Sequence, residues 1–285
     1  MSGIIKRYSE LFILLKREVF YMKIYSFFID DNIFFLKDIA SQRPNSIFDH
    51  FYLGNLKKLH EKYQVKFLLN LFKGDQNSGF MLDEFHDDYK AEFAANSDWL
   101  RMSFHAAFDK THYFDAPKCI ASTAAEFIRD YNFVKREVTR FAGSECFLFP
   151  QIIHYVDSSA EIKQFLYNEG VRFLADRRSF FEKLSEEKGS VVTSYPDRDV
   201  PQLTRIPFEM VINNVPLEEI VPQLDIRIVN EKRNYINIMT HEPQFYPYYW
   251  NLIPEHWDRL DRAFAHLSAN GYTPVWGSLI STGDL

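Results

Sequence analysis

The chain has 285 residues, with 33 Lys and Arg against 39 Asp and Glu, a formal net charge of −6 and a pI near 5.9. That balance supplies no basic face for nucleic acid, and the length suits one α/β barrel. Hydrophobic residues make up 46% and aromatic residues 17%, enough for a large core and for rings that stack on the faces of pyranose sugars.

The N-terminal segment MSGIIKRYSELFILLKREVFYMK has LFILL as its longest apolar stretch. This is shorter than a signal-peptide core, and no small-residue cleavage site follows it, so a cytoplasmic location is expected. No apolar run reaches 18 residues, so no membrane span is expected. Ile4, Ile5, Leu11, Phe12, Leu15 and Phe20 would line one side of an amphipathic helix. Residues 1–22 read as an extension and residues 23–285 as one domain. Two cysteines, Cys119 and Cys146, are too few for a disulfide framework and fit a reducing compartment.

From residue 23 onward, strand-like and helix-like segments alternate. IYSFFID reads as a buried strand, SIFDHFYLGNLKKLHEKY as a helix, and VKFLLNLF as a second buried strand. DDYKAEFAANS is helix-like and LRMSFHA is a third strand. A long helix is expected from about Ala116 to Phe141, followed by an extended CFLFPQIIH. SAEIKQFLYNEG has a helical pattern with Ser158 or Ser159 as its N-cap and a glycine stop, and VRFLA is a short strand. After Arg178 the rhythm weakens, and residues 188–216 read as a hairpin insertion or irregular loops. PLEEIVPQL is helix-like, YINIMTHE is a strand, PEHWDRLDRAFAHLSANG is a helix, and YTPVWGS is a last strand. Apolar strands alternating with helices predict a mostly parallel sheet covered by helices, and at this length a barrel. No GxGxxG or P-loop pattern marks a nucleotide site.

Polar residues sit at telling positions. IYSFFID ends in Asp30 and Asp31, LRMSF in His105, CFLFPQII in His154, and YINIMT in His241 and Glu242. In parallel α/β folds the C-terminal strand ends share the face where active sites are built. Carboxylates and imidazoles converging there form an oxygen and nitrogen ligand set for a divalent cation. Taken singly, each has a plainer reading. A histidine at a strand end often only packs, and Asp-Asp-Asn can cap a helix. The remaining histidines fit that plainer reading, with His50, His60, His256 and His266 on helix-like segments and His86 and His112 outside clear strands.

Around Phe28-Ile29-Asp30-Asp31 the sequence resembles the polysaccharide deacetylase (NodB-homology) family, which carries a T/S-F-D-D motif at the end of its first strand. The resemblance spans roughly residues 23–278 in element order. It implies a distorted (β/α)7 barrel and a metal-dependent hydrolase that removes acetyl groups from an N- or O-acetylated carbohydrate, with zinc the expected ion. It casts Asp30 as catalytic base and Asp31 as metal ligand. The family's H-x-x-x-H motif is matched by His105, but Asp109 stands where the second histidine would be. Either Asp109 or His154 then completes the site, and His154 is favoured because Asp109 lies beyond the strand. The T-H-E at Thr240 to Glu242 offers His241 as general acid, with Glu242 beside it. Arg140, in R-F-A-G, corresponds to the arginine that orients the base. Among the aromatics after His241, Tyr246 and Trp250 would form a stacking wall for substrate. Two other readings are a metal hydrolase acting on a non-sugar C–N bond and a glycan-binding module without turnover.

Overall fold

The computed structural model describes residues 22–114 and 120–280. The extension expected over residues 1–22 lies outside them except for Met22. So do Cys119 and residues 116–118 of the helix expected from Ala116; residues 120–123 are described and are not helical, and that helix begins at Ala124.

The central sheet is parallel. Strand β1 (Ile24–Asn32) runs at its middle, flanked by β2 (Phe67–Phe72) and then β3 (Leu100–Ala106) on one side. On the other side lie β7 (Tyr235–His241) and then β6 (Met210–Val211), while β8 (Thr273–Pro274) pairs with the start of β1. A second, smaller sheet pairs β4 (Phe173–Arg177) in parallel with β5 (Thr204–Phe208), and Tyr195–Pro196 adds antiparallel to β5.

Every residue of β2 is buried and β1 is buried throughout except at Asp31. This is the signature of strands covered on both faces, where continuous apolar runs replace alternation. On one face the helix α8 (His256–Ala269) delivers Phe264, whose ring meets Phe27 at 5.0 Å and Tyr25 and Phe67 at 6.1 Å. The helix α4 (Ala124–Phe141) packs on β3, with Phe127 and Tyr131 against Phe104. It begins with a reciprocal cap in which Thr123 Oγ1 accepts from the Glu126 N–H at 3.2 Å and Glu126 accepts from the Thr123 N–H at 2.8 Å. The remaining helices are α1 (Phe34–Gln42), α2 (Phe51–Tyr63), α3 (Lys90–Ala95), α5 (Ala160–Glu169), α6 (Arg178–Lys188) and α7 (Ile220–Asp225).

Three expectations change here. The ladders form separate open sheets and not a continuous barrel. Between them run single backbone hydrogen bonds: Leu148 N–H to Met102 O at 2.9 Å, Ala175 N–H to Gln151 O at 2.7 Å, and Glu209 N–H to Asn237 O at 2.6 Å. The segment CFLFPQIIH meets β3 through one such bridge, Met102 to Phe147, and forms no strand. The stretch after Arg178 also contains the three-turn helix α6. It ends at Gly189, whose φ of +65° is a left-handed value that glycine adopts freely.

Candidate metal centre and active cleft

The C-terminal ends of β1, β3 and β7 meet at one edge of the central sheet. In a regular strand, Asp30 and Asp31 would point to opposite faces. Here Asp31 takes a left-handed φ of +62°, and the pairing of β1 with β2 shifts register between Ile29 and Asn32. The pleat is broken, and both carboxylates line the same cleft of about 280 Å³ with His105, His154 and His241.

Three donors converge there. Asp31 Oδ1 lies 3.2 Å from His105 Nε2 and 4.0 Å from His154 Nδ1, and the two ring nitrogens are 2.8 Å apart. Two ligands each about 2.1 Å from one ion lie at most about 4.2 Å apart, and all three separations meet that limit. The far nitrogen of His154, Nε2, lies 2.8 Å from the Asp109 carbonyl oxygen and donates to it. That bond leaves the Nδ1 lone pair facing the centre, the usual outer support of a metal-bound imidazole. Asp31 Oδ1 is buried without a hydrogen-bond partner among the described residues. An orphaned carboxylate oxygen with two imidazoles around it fits a divalent cation. Asp31, His105 and His154 are the residues that would hold it.

The electrostatics follow from burial and crowding. Burial works against ionised Asp31, but the close approach of His105 at 3.2 Å and the fields of His241 and His154 outweigh it and hold the carboxyl well below its ordinary range. Burial raises Asp30, and the Asp31 charge adds to this against the pull of His105, His241 and the Asn70 hydrogen bond. Burial and the neighbouring His105 push His154 down to about 3, so it is a neutral donor at physiological pH. For His105, burial favours the neutral ring, but Asp30 and Asp31 prevail and raise it.

Asp30 is buried beside this trio. Its Oδ1 accepts from Asn70 Nδ2 at 2.7 Å and lies 3.8 Å from His105 Nδ1. Beside it, in register on the adjoining strand β7, stands His241. The Nδ1 of His241 lies 2.9 Å from Asn213 Oδ1 and donates to it, which fixes the ring and leaves Nε2 for the cleft. A second cleft of about 210 Å³ adjoins on the other side of Asp31 and Asp109, with Phe34 and Tyr249 among its walls.

Of the other sequence-predicted residues, Asp109 lines the same cleft, whereas Arg140, Glu242, Tyr246 and Trp250 are not among its lining. Asp109 brings its backbone carbonyl to His154. Its carboxyl is raised by burial and by Asp31. Arg140 is engaged by Glu137 at 2.7 Å, by Asp87 and by the Phe85 carbonyl at 2.7 Å, clamping the loop around residues 82–87 to the end of α4. Glu242 is 0% exposed. Its carboxylate accepts from the N–H groups of Ile33, Phe34 and Phe35 at 2.7, 2.9 and 2.7 Å and from the Tyr246 hydroxyl at 2.8 Å. It caps α1 and does not touch His241's ring. Tyr246 is buried beside it, whereas Trp250 is 85% exposed, its ring 5.6 Å from that of Tyr249.

Three residues of the site were not anticipated. Asn70 is the only polar residue in FLLNLF, and that isolation was a signal available in the sequence. Asn213 and Arg177, the latter at the end of β4 on the cleft wall, carry no such mark.

No protein-family model matches the chain, and no curated protein matches its sequence. Among solved structures, a family 4 acetyl xylan esterase from Clostridium thermocellum, determined with a cobalt ion, is 11% identical at a TM-score of 0.45, over 89% of this chain and 87% of its own. A peptidoglycan N-acetylglucosamine deacetylase is 9% identical at a TM-score of 0.45, over 93% of both chains. A 4-alpha-glucanotransferase from Thermococcus litoralis is 13% identical at a TM-score of 0.54, over 89% of this chain and 39% of that one. This last likeness is one of fold alone.

Proposed function

We propose that the protein is a metal-dependent hydrolase that removes an acetyl group from an N- or O-acetylated carbohydrate. The observation that carries this reading is the convergence of Asp31, His105 and His154 within ligand distance of one another, with a second carboxylate, Asp30, one residue away. Two imidazoles and a carboxylate suit zinc. The single hydrogen bonds between the two sheets support reading the scaffold as a barrel opened by distortion.

A divalent cation at this centre would polarise an acyl carbonyl and acidify water. The chain's own groups supply the proton transfers. Asp30, raised by burial and steadied by Asn70, accepts the proton of the attacking water. His241, on the strand adjoining β1 and held by Asn213, delivers a proton to the departing nitrogen or oxygen. Each such transfer contributes about 100- to 10,000-fold. The rings of Phe34 and Tyr249 beside the centre, with Trp250 next to Tyr249, offer faces for a pyranose.

The test is acetate release from a panel of N- and O-acetylated saccharides, with and without chelator, alongside the metal content of the purified protein. Stoichiometric metal and chelator-sensitive acetate release support the reading. A metal-loaded protein that releases acetate from no member of the panel overturns it.

A further inference from the structure

A cavity of about 640 Å³ opens beside the active cleft and shares Tyr155, Val156 and Arg177 with it. It is bounded by the end of β4, the start of α6 and the loop 195–199, with the rings of Phe114, Phe180 and Tyr195 among its walls. Its lining carries five cationic side chains, Lys163, Arg177, Lys183, Arg198 and Arg205, and four aspartates.

Pairing within the lining is uneven. Arg205 takes Asp197 at 2.6 Å, and Lys163 takes Asp199 at 2.8 Å and Asp157 at 3.2 Å. Asp176 accepts from the Tyr195 hydroxyl and the Arg177 N–H, both at 2.6 Å, and Arg198 stands 3.5 Å from Asp199. Every carboxylate therefore has a donor. Among the described residues, the guanidinium of Arg177 and the ammonium of Lys183 have no carboxylate within ion-pair distance, although both line this cavity. On a chain of net charge −6, the lining carries one more cation than carboxylates, and cationic groups beside a cleft select charge more than they add general affinity.

We propose that this cavity is a subsite for an anionic group, a carboxylate or a phosphate, carried by the sugar unit next to the one whose acyl group lies at Asp30 and Asp31. The inference rests on the deacetylase reading above for its catalytic half. Arg177, lining both spaces, marks the junction between the two sugar units. The ring walls take the sugar faces, and Lys183 meets the charge from α6.

Calorimetry with three probes tests it: a neutral N-acetylated chitotriose, a hyaluronan tetrasaccharide that alternates N-acetylated and carboxylate sugars, and UDP-N-acetylglucosamine. The wild type should bind at least one anionic probe about tenfold more tightly than the neutral one, and the preferred probe distinguishes carboxylate from phosphate. Lys183→Glu and Arg177→Ala should each erase that margin, and Lys183→Gln should narrow it. Equal binding of all three probes, or variants that keep the margin, overturns the subsite. Acetate release followed in parallel separates the two readings. A retained margin without acetate release from any saccharide overturns the deacetylase reading alone. Acetate release without a margin overturns the subsite alone.

Discussion

The ends of β1 and β7 lie side by side, and each buries a carboxylate, with opposite results. At the end of β7, Glu242 is met by three backbone N–H groups and a tyrosine hydroxyl. At the end of β1, Asp31 Oδ1 has no hydrogen-bond donor and faces two imidazoles instead. Both groups are costly to bury. The chain fills the acceptor sites of Glu242 with donors, and so the group holds α1 in place. It leaves Asp31 Oδ1 without a donor and surrounds its charge with imidazoles instead. Burial alone does not mark a reactive carboxylate, and the informative quantity is how many of its acceptor sites the fold itself fills.

The sharpest break in this comparison is Asp31→Ala. It should remove metal from the purified protein and lower acetate release by about 1,000-fold or more, since Lewis-acid stabilisation is worth several kcal/mol. Elemental analysis beside a turnover assay reads both. Asp30→Asn should leave the metal content unchanged and lower turnover by about 100- to 10,000-fold. Metal loss in this variant would place Asp30 among the ligands.

Glu242→Ala tests the other side. It orphans three buried N–H groups and should cost about 3 kcal/mol or more in chemical denaturation while the metal content stays intact. Burial pushes the Glu242 pKa up to about 7 against the donors that favour its anion. A folded-state value above the ordinary one of 4.5 means that the stability from this group is complete below about pH 4.5 and is lost as pH rises through 7. The stability gap between wild type and Glu242→Ala should therefore be wider at pH 5 than at pH 8.

Smaller effects refine the picture. Asn213→Ala frees the His241 ring and should lower turnover about fivefold, the value of one modest hydrogen bond, with a displaced pH–rate profile. Trp250→Ala should change stability by less than about 0.5 kcal/mol, because the ring is 85% exposed. If it serves the substrate, the Michaelis constant rises and kcat does not.

Much of the scaffold could be read from the sequence because it depends on local pattern. The apolar runs of β1, β2, β3 and β7, the capped helices α4 and α5, and the amphipathic helix α8 announce themselves. Closure does not. Whether the sheet becomes a barrel turns on a few bonds at Leu148, Ala175 and Glu209, and no periodicity encodes those. Helix α6 was hidden by its polar composition, RSFFEKLSEEK, in which only Phe181 is buried. In the site, the charged residues at strand ends were visible as breaks in apolar runs. His154 was assigned to a strand end, but it stands in an irregular segment that also holds Tyr155 and Val156 at positive φ. Arg140 and Glu242 matched by type and position in the chain, and their partners lie elsewhere. Asn213 and Arg177 come from loops and strand ends whose spatial neighbours only the fold reveals.

The left-handed backbone at Asp31 sets two selections against each other. A β-carbon at that φ costs about 1–2 kcal/mol relative to glycine. A screen of position 31 scored only on thermal endurance should therefore drift toward glycine, and the molecules it keeps would be sturdier and chemically idle. A screen scored on cation uptake should hold aspartate against the backbone's preference. Asparagine, which tolerates the same conformation but carries no charge, should fall with the first group and not the second.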